Sequence, residues 1–197
     1  MSQKVAVIVG RFQVPILTNG HDWLLRKAIV DYDKVLILIG DTKVQPNGYY
    51  RLDSHDPYPF DLRKTIIDEF INTEFSQKDK SKVIGIYRFE DVGNVKLWNK
   101  KLDDFLDKLS IRFSEPTEFV MLGSRDSFVI RYSGKNSACV LESPESVKEE
   151  SGTHMRKEFF ETDSKSLEYQ SLEFRRGVLW AIMEMERLKN LKEDDEV

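Results

Sequence analysis

Short, unbroken runs of Val, Ile and Leu occupy residues 5–9 and 35–39, and comparable apolar runs lie at 83–89 and 119–122. Runs that are apolar on both faces are typical of parallel strands covered by helices on each side. Between the first two runs, residues 21–30 place apolar side chains at helical spacing. A strand, a helix and a second strand at this spacing predict a βαβ unit.

The rest of the pattern predicts further helices at 62–70 and 97–109, a loop at 41–59, and a polar connection at 73–82. Residues 167–191 carry the spacing of a long amphipathic helix, and 192–197 form a charged tail. We therefore predict an α/β fold with a Rossmann-like open parallel sheet, helices on both faces, and a C-terminal helical segment. Residues 1–160 form the expected domain and 161–197 its helical extension.

Composition and net charge exclude some classes of function for this protein. Of the 197 residues, 40% are hydrophobic and 32% are charged, which excludes wholesale disorder. The net charge of -4 makes broad attraction to nucleic acid or to an anionic membrane unexpected. No apolar run is long enough to span a bilayer. We expect no signal peptide, because a strand-like run follows the first residues directly. The single cysteine cannot form an internal disulfide and favours a cytoplasmic location. Any anion must therefore be bound by locally concentrated positive charge.

The first chemical motif is GRFQVPILTNGH at 10–21, between the first predicted strand and the first predicted helix. Gly10 permits close approach of a ligand to the backbone, and a helix N-terminus offers free amides to phosphate. Thr18 and His21 are three residues apart and share a face in a first helical turn, with Arg11 nearby. The plainer alternative is that Thr18 only caps the helix while His21 packs or faces solvent. The motif is neither a Walker loop nor a GxGxxG fingerprint.

The second motif is ESGTHMR at 150–156. Ser151 or Thr153 can cap a helix whose first turn carries Arg156, and hydroxyl, amides and guanidinium together can hold pyrophosphate. Taken alone, this string predicts only a helix start.

The two motifs together resemble the (H/T)xGH signature and the later Ser/Thr-rich triplet followed by Arg of the nucleotidyltransferase superfamily. Glu150 stands where an apolar residue is usual. The resemblance implies that His21 and Thr18 act at the bridging and α-phosphates of the nucleotide. It implies that Arg11 and Arg156 steady the β- and γ-phosphates.

Three other segments resemble the nicotinamide-mononucleotide adenylyltransferases, particularly the branch whose first motif begins Gly-Arg-Phe-Gln. They are DVGNVKLW at 91–98, PFDLRK at 59–64 and GSRDSF at 123–128. For Trp98 a core position on its helix is the alternative, and for Arg63 a solvated one. The resemblance assigns the acceptor nucleotide to Arg63, Asp91, Asn94 and Trp98. It assigns ATP to Gly10, Arg11, Phe12, Gly20, His21, Gly123, Arg125, Asp126, Ser151, Thr153 and Arg156.

The implied reaction transfers AMP from ATP to nicotinamide mononucleotide, giving NAD and pyrophosphate, with Mg²⁺ carried by substrate oxygens and water. Two features leave alternatives open. Thr18 also occurs in phosphopantetheine adenylyltransferases, so another phosphorylated acceptor is possible, as is a nucleotide-binding module without catalysis. The loop before Thr18 is two residues longer than is usual. We expect Arg11, His21, Arg63, Arg125 and Arg156 to converge on one cleft, with no nucleic acid or membrane partner and the oligomeric state open.

Overall fold

The computed structural model describes residues 2–14, 17–41, 58, 60–124 and 127–147. The second motif, the long helix predicted at 167–191, Arg125 and Asp126 lie outside these described residues. The division at residue 160 lies outside them too and stays a prediction.

Five parallel strands form one sheet in the order β3-β2-β1-β4-β5. Ile8 in the central strand lies opposite Ile37 on one side and Leu122 on the other. The strands are β1 Gln3–Gly10, β2 Lys34–Asp41, β3 Val83–Glu90, β4 Thr117–Ser124 and β5 Ser137–Leu141.

Helices cover both faces of this sheet because the central strands are apolar on both faces. In β1, Ala6 and Ile8 pack into the core on one face, while Val5, Val7 and Val9 pack into the core on the other. The first face is covered by α1 Asn19–Asp31 and α2 Phe60–Glu74, and the second by α4 Val95–Ser110. The predicted α/β class and sheet arrangement are confirmed.

Two elements differ from the sequence prediction. The edge strand β5 was not predicted, because its sequence is short and three of its five residues are exposed, so it lacks the continuous apolar run of a buried strand. The predicted connection at 73–82 contains the end of α2 and a four-residue helix, α3 Gln77–Lys80. Ser76 caps α3 by accepting a hydrogen bond from Asp79 N–H.

The topology places a crevice at the carboxyl ends of β1 and β4. From β1 the chain proceeds outward to β2 and β3 on one side, then returns to β4 on the other side of β1. Such a switch point is where open parallel sheets bind ligands. No helix in the described ranges has the length and apolarity needed to cross a membrane.

Candidate active site

The loop that leaves β1 is built around Gly10 and Phe12. Phe12 adopts a positive φ of 50°, which is unusual for a bulky side chain, and it is only 4% exposed. Its ring lies against Gly10, where a Cβ atom would come within 2.9 Å of Phe12 Cε2. Gly10 is therefore required for the close approach of Phe12 to the end of β1.

Gln13 fixes the same loop through hydrogen bonds on its buried side. Its buried amide donates to the carbonyl of Tyr58 at 3.2 Å and accepts from Tyr58 N–H at 3.0 Å. Gln13 was not identified from the sequence. Its position three residues after Gly10 carries no signal that distinguishes a buried, hydrogen-bonded glutamine from a solvated one.

Thr18 and His21 form a reciprocal cap at the N-terminus of α1. The Thr18 hydroxyl oxygen accepts from His21 N–H at 3.2 Å, and His21 Nδ1 accepts from Thr18 N–H at 3.3 Å. The hydroxyl oxygen also lies 3.0 Å from Nδ1. Thr18 thus caps α1, and the cap places the imidazole in the first turn of the helix, where backbone amides are free. Contact of Thr18 with a phosphate stays a prediction.

The surroundings of His21 disfavour its charged form. Desolvation by burial lowers the pKa of His21 from its ordinary 6.5 to about 4. The positive end of the α1 dipole acts in the same direction. Phe12 covers the ring, with the two ring centroids 4.9 Å apart and the planes tilted by 37°. His21 is therefore a neutral imidazole at physiological pH.

Arg11 extends from the end of β1 past β2 to Asp91, the residue directly after β3. Its guanidinium donates to Asp91 Oδ2 from Nη2 at 2.7 Å and from Nε at 3.2 Å. The Arg11 side chain is 42% exposed, whereas that of Asp91 is 10% exposed. Asp91 therefore holds Arg11 in place while leaving part of the guanidinium at the surface.

A second charged cluster, formed by Arg63, Asp41 and Arg88, lies on the buried side of the Arg11–Asp91 pair. Arg63, 1% exposed, donates through NH1 to the carbonyls of Arg11 at 2.6 Å and Gly40 at 2.7 Å. Its NH2 lies 3.4 Å from Asp41 Oδ1, and Arg88 Nε lies 3.2 Å from Asp41 Oδ2. The solvated alternative for Arg63 is wrong, since the side chain is buried and supports the backbone at the ends of β1 and β2. Its contact with a nucleotide stays a prediction.

Asp41 and Arg88 were not identified from the sequence. Asp41 is the last residue of β2 and is only 8% exposed. The Arg88 guanidinium lies over the Phe60 ring, 4.8 Å from its centroid. The signal that could have identified Asp41 is a charged residue two positions after the apolar run at 35–39, because ligands bind at the carboxyl ends of parallel strands.

Ser127 lies close to the end of β4, at the other side of the crevice. It donates through both its hydroxyl, at 2.6 Å, and its N–H, at 3.0 Å, to the carbonyl of Ser124. A Cβ atom on Gly123 would overlap Ser127 Oγ. Gly123 is therefore required for this approach of Ser127 to the end of the strand.

The residues predicted to bind the acceptor have structural partners at the start of α4. Trp98 is 6% exposed and stacks on Phe128, with centroids 5.4 Å apart and planes tilted by 15°. Asn94 caps α4 by accepting from Leu97 N–H at 3.1 Å. Trp98 therefore lies in the core in this structure, as the alternative interpretation predicted. The contacts of Asp91, Asn94 and Trp98 with an acceptor nucleotide stay predictions.

The structure thus brings Gly10, Arg11, Phe12, Thr18, Gly20, His21, Arg63 and Asp91 to one edge of the sheet, with Gly123 at the end of the adjacent strand. Among the described residues, no group of three or more His, Cys, Asp or Glu could hold a metal ion. Among the described residues, the neutral His21 and the cationic Arg11 are side chains that this edge offers to an anion.

No protein-family model and no curated protein matches the sequence. Two solved structures of a bifunctional NMN adenylyltransferase/ADP-ribose pyrophosphatase from Francisella tularensis are similar in fold. One, complexed with AMP and a manganese ion, has a TM-score of 0.59 at 18% identity over 94% of this chain and 55% of its own. The other has a TM-score of 0.61 at 17% identity over 94% and 56%. The chain spans about half the length of these structures, and what it shares with them is the Rossmann-like α/β fold.

Proposed function

We propose that this protein is a nucleotidyltransferase that transfers AMP from ATP to nicotinamide mononucleotide, giving NAD and pyrophosphate. The observation that carries the proposal is the Thr18–His21 pair at the N-terminus of α1, directly beyond β1 at the topological switch point. The fold shared with the Francisella structures, one of them complexed with AMP, supports the coarser proposal of a nucleotidyltransferase.

The site suits a nucleotide polyphosphate for electrostatic reasons. The first turn of α1 presents backbone N–H groups and the positive end of the helix dipole, which favour phosphate. Gly10 keeps the end of β1 free of a side chain, and Arg11 adds a guanidinium at the surface. These groups concentrate positive potential in a chain of net charge -4.

The reaction needs no covalent enzyme intermediate. A phosphate oxygen of the acceptor forms a bond to the α-phosphorus of ATP as the bond to the bridging oxygen breaks, and pyrophosphate leaves. Catalysis is then in-line positioning and stabilisation of charge on the phosphoryl oxygens. In the proposal His21 donates a hydrogen bond to these oxygens, and Arg11 with Arg156, Ser151 and Thr153 holds the β- and γ-phosphates.

Mg²⁺ enters with the nucleotide. Mg²⁺ retains several waters and is commonly held through substrate phosphates. A preformed cluster of protein ligands is therefore not required, and the substrate is MgATP.

The proposed acceptor rests on the resemblance of the segment with Asp91, Asn94 and Trp98 to the nicotinamide-mononucleotide adenylyltransferases. Asp91 forms an ion pair with Arg11 at 2.7 Å. Trp98 lies one helical turn beyond Asn94 at the start of α4. A flat cationic nicotinamide ring is attracted to an aromatic face. In the proposal the ring takes the place that Phe128 occupies against Trp98 in this structure.

The decisive assay mixes the protein with ATP, Mg²⁺ and nicotinamide mononucleotide and follows NAD with a coupled dehydrogenase. We expect NAD formation that depends on all three components. Product with phosphopantetheine but not with nicotinamide mononucleotide would replace the proposed acceptor. Nucleotide binding without product from either acceptor would replace catalysis by a binding role.

Substitution of His21 tests the site. His21→Ala should lower kcat by on the order of 100-fold, the loss typical for one donor to developing transition-state charge. Lys27→Ala, on the exposed side of the same helix, is the matched control and should keep wild-type turnover. Wild-type turnover in a folded His21→Ala enzyme would show that the site assignment is wrong.

A further inference from the structure

The hydrogen bonds around His21 define which ring nitrogen carries the proton. Thr18 N–H is a donor only, and it points to His21 Nδ1 at 3.3 Å. Nδ1 must therefore present its lone pair, so in the neutral ring the proton resides on Nε2. Nε2 is then a hydrogen-bond donor at neutral pH without the ring being charged.

The Thr18 hydroxyl completes this arrangement. Its oxygen accepts from His21 N–H at 3.2 Å, which fixes the cap, and it lies 3.0 Å from Nδ1, whose single lone pair already accepts from Thr18 N–H. An imidazolium would place a second hydrogen between Nδ1 and Thr18 N–H. The cap is therefore compatible with only one of the three protonation states of the ring.

Phe12 restrains the same ring from one face. The contact at 4.9 Å between centroids requires the positive φ of Phe12 and the absence of a Cβ atom at Gly10. A bulky residue in this backbone region is uncommon and tends to mark a functional constraint. The effect of the unusual backbone here is to place an aromatic ring against His21.

We propose that Thr18 and Phe12 are positioning residues that act through His21, holding it as a neutral imidazole with its proton on Nε2, so that Nε2–H is the donor to the reacting phosphate. This inference rests on the proposed nucleotidyl transfer and deepens it. It replaces the expected roles of Thr18 as a direct phosphate ligand and of Phe12 as an ATP contact. The lowered pKa of His21 is consistent with this arrangement.

The tautomer can be measured without substrate. We would record nitrogen-15 NMR spectra of the ligand-free full chain at pH 7, assigning His21 among the three histidines by its absence in His21→Gln. The expected result is an Nδ1 shift typical of an unprotonated nitrogen and an Nε2 shift typical of a protonated one. Protonated Nδ1, or an averaged pair of shifts, would overturn the inference whether or not the protein has activity.

Variants of Thr18 separate positioning from simple capping. Thr18→Val removes the hydroxyl, and we expect averaging of the two His21 nitrogen shifts together with a fall in kcat of about tenfold or more. Thr18→Ser retains the hydroxyl and should restore both readouts. Circular dichroism confirms that each variant is folded, and an unchanged His21 spectrum in folded Thr18→Val would overturn the role of Thr18.

The steady-state constants test Phe12. Phe12→Leu keeps an apolar side chain but removes the ring from His21, so kcat should fall by about tenfold while KM for ATP changes less than about twofold. A rise in KM with unchanged kcat would identify Phe12 as an ATP contact and overturn its positioning role. If the protein catalyses no transfer at all, the proposed function fails, and the NMR result still decides the tautomer.

Discussion

At the scale of single residues, the protonation of His21 is the property with the widest consequences. A neutral imidazole can donate from one nitrogen and accept with the other at the same time. The reciprocal cap with Thr18 uses the accepting nitrogen, and burial and the helix N-terminus keep the ring from gaining a second proton. A histidine with these partners is suited to hydrogen bonding to phosphate rather than to transferring protons near pH 7.

The pKa of His21 predicts a pH dependence of stability. Because its folded pKa is about 4 and its ordinary value is 6.5, the unfolded chain binds more protons between these limits, so stability falls as the pH is lowered through them. The free energy of unfolding should decrease by up to about 2 kcal/mol from pH 7 to pH 5 on account of this group. Urea unfolding of the wild type and of His21→Gln at both pH values isolates the contribution, and equal pH dependences would contradict the prediction.

At the scale of elements, the carboxyl ends of three strands are connected by a side chain from α2 and by a backbone hydrogen bond. Arg63 on α2 donates to the carbonyls of Arg11 after β1 and Gly40 in β2, and Asp91 N–H after β3 donates to the carbonyl of Asp41 at 3.1 Å. Buried carbonyls require partners, and a guanidinium has enough donors to serve several at once. The loop that carries Arg11 is therefore fixed on its buried side by Arg63 of α2.

Replacement of Arg63 should destabilise the protein strongly. Arg63→Met leaves two carbonyls without their donor and removes one counter-charge of the buried Asp41, so we expect a loss of about 3 to 5 kcal/mol in the free energy of unfolding. Lys64→Ala is the neighbouring control. It breaks only the half-exposed pair with Asp68 and should cost less than about 0.5 kcal/mol. Similar unfolding midpoints for the two variants in urea would contradict the proposed support.

At the scale of the whole molecule, the strand order determines where chemistry can occur. Parallel strands direct all their carboxyl ends to one edge, and the reversal of chain direction on the two sides of β1 opens the crevice at that edge. The negative net charge is a property of the entire surface and does not describe this edge. At this edge the first turn of α1 and the exposed part of the Arg11 guanidinium, which is paired with Asp91, offer N–H donors to an anion.

Binding at this edge should raise the stability of the whole domain. At a hundredfold excess over its Kd, MgATP should increase the free energy of unfolding by about 2.7 kcal/mol. The increase should be much reduced in Arg11→Ala and preserved in Lys4→Ala, since Lys4 is exposed near the opposite end of β1. Thermal unfolding with and without MgATP measures the difference, and equal shifts in the two variants would place the nucleotide elsewhere.

The apolar runs predicted β1, β2, β3 and β4 and their covering helices because continuous burial leaves a continuous apolar pattern. β5 was missed because an exposed edge strand has no such pattern. The Thr18 cap was an alternative from the sequence because capping is local, depending on residues three apart. Gln13 and Asp41 were missed because their partners, Tyr58, Arg63 and Arg88, are distant in the chain.

The sequence by itself determined the parallel α/β architecture and the position of the Thr18–His21 motif, since both depend on short-range patterns of apolar and capping residues. Tertiary structure alone decided that Arg63 is buried beneath the loop instead of solvated. It also decided that Asp91 pairs with Arg11 and that Phe12 covers His21. Burial, charge pairing and the ring contact depend on distances between residues far apart in the chain or on backbone angles. The local spacing of residues determines neither these distances nor these angles.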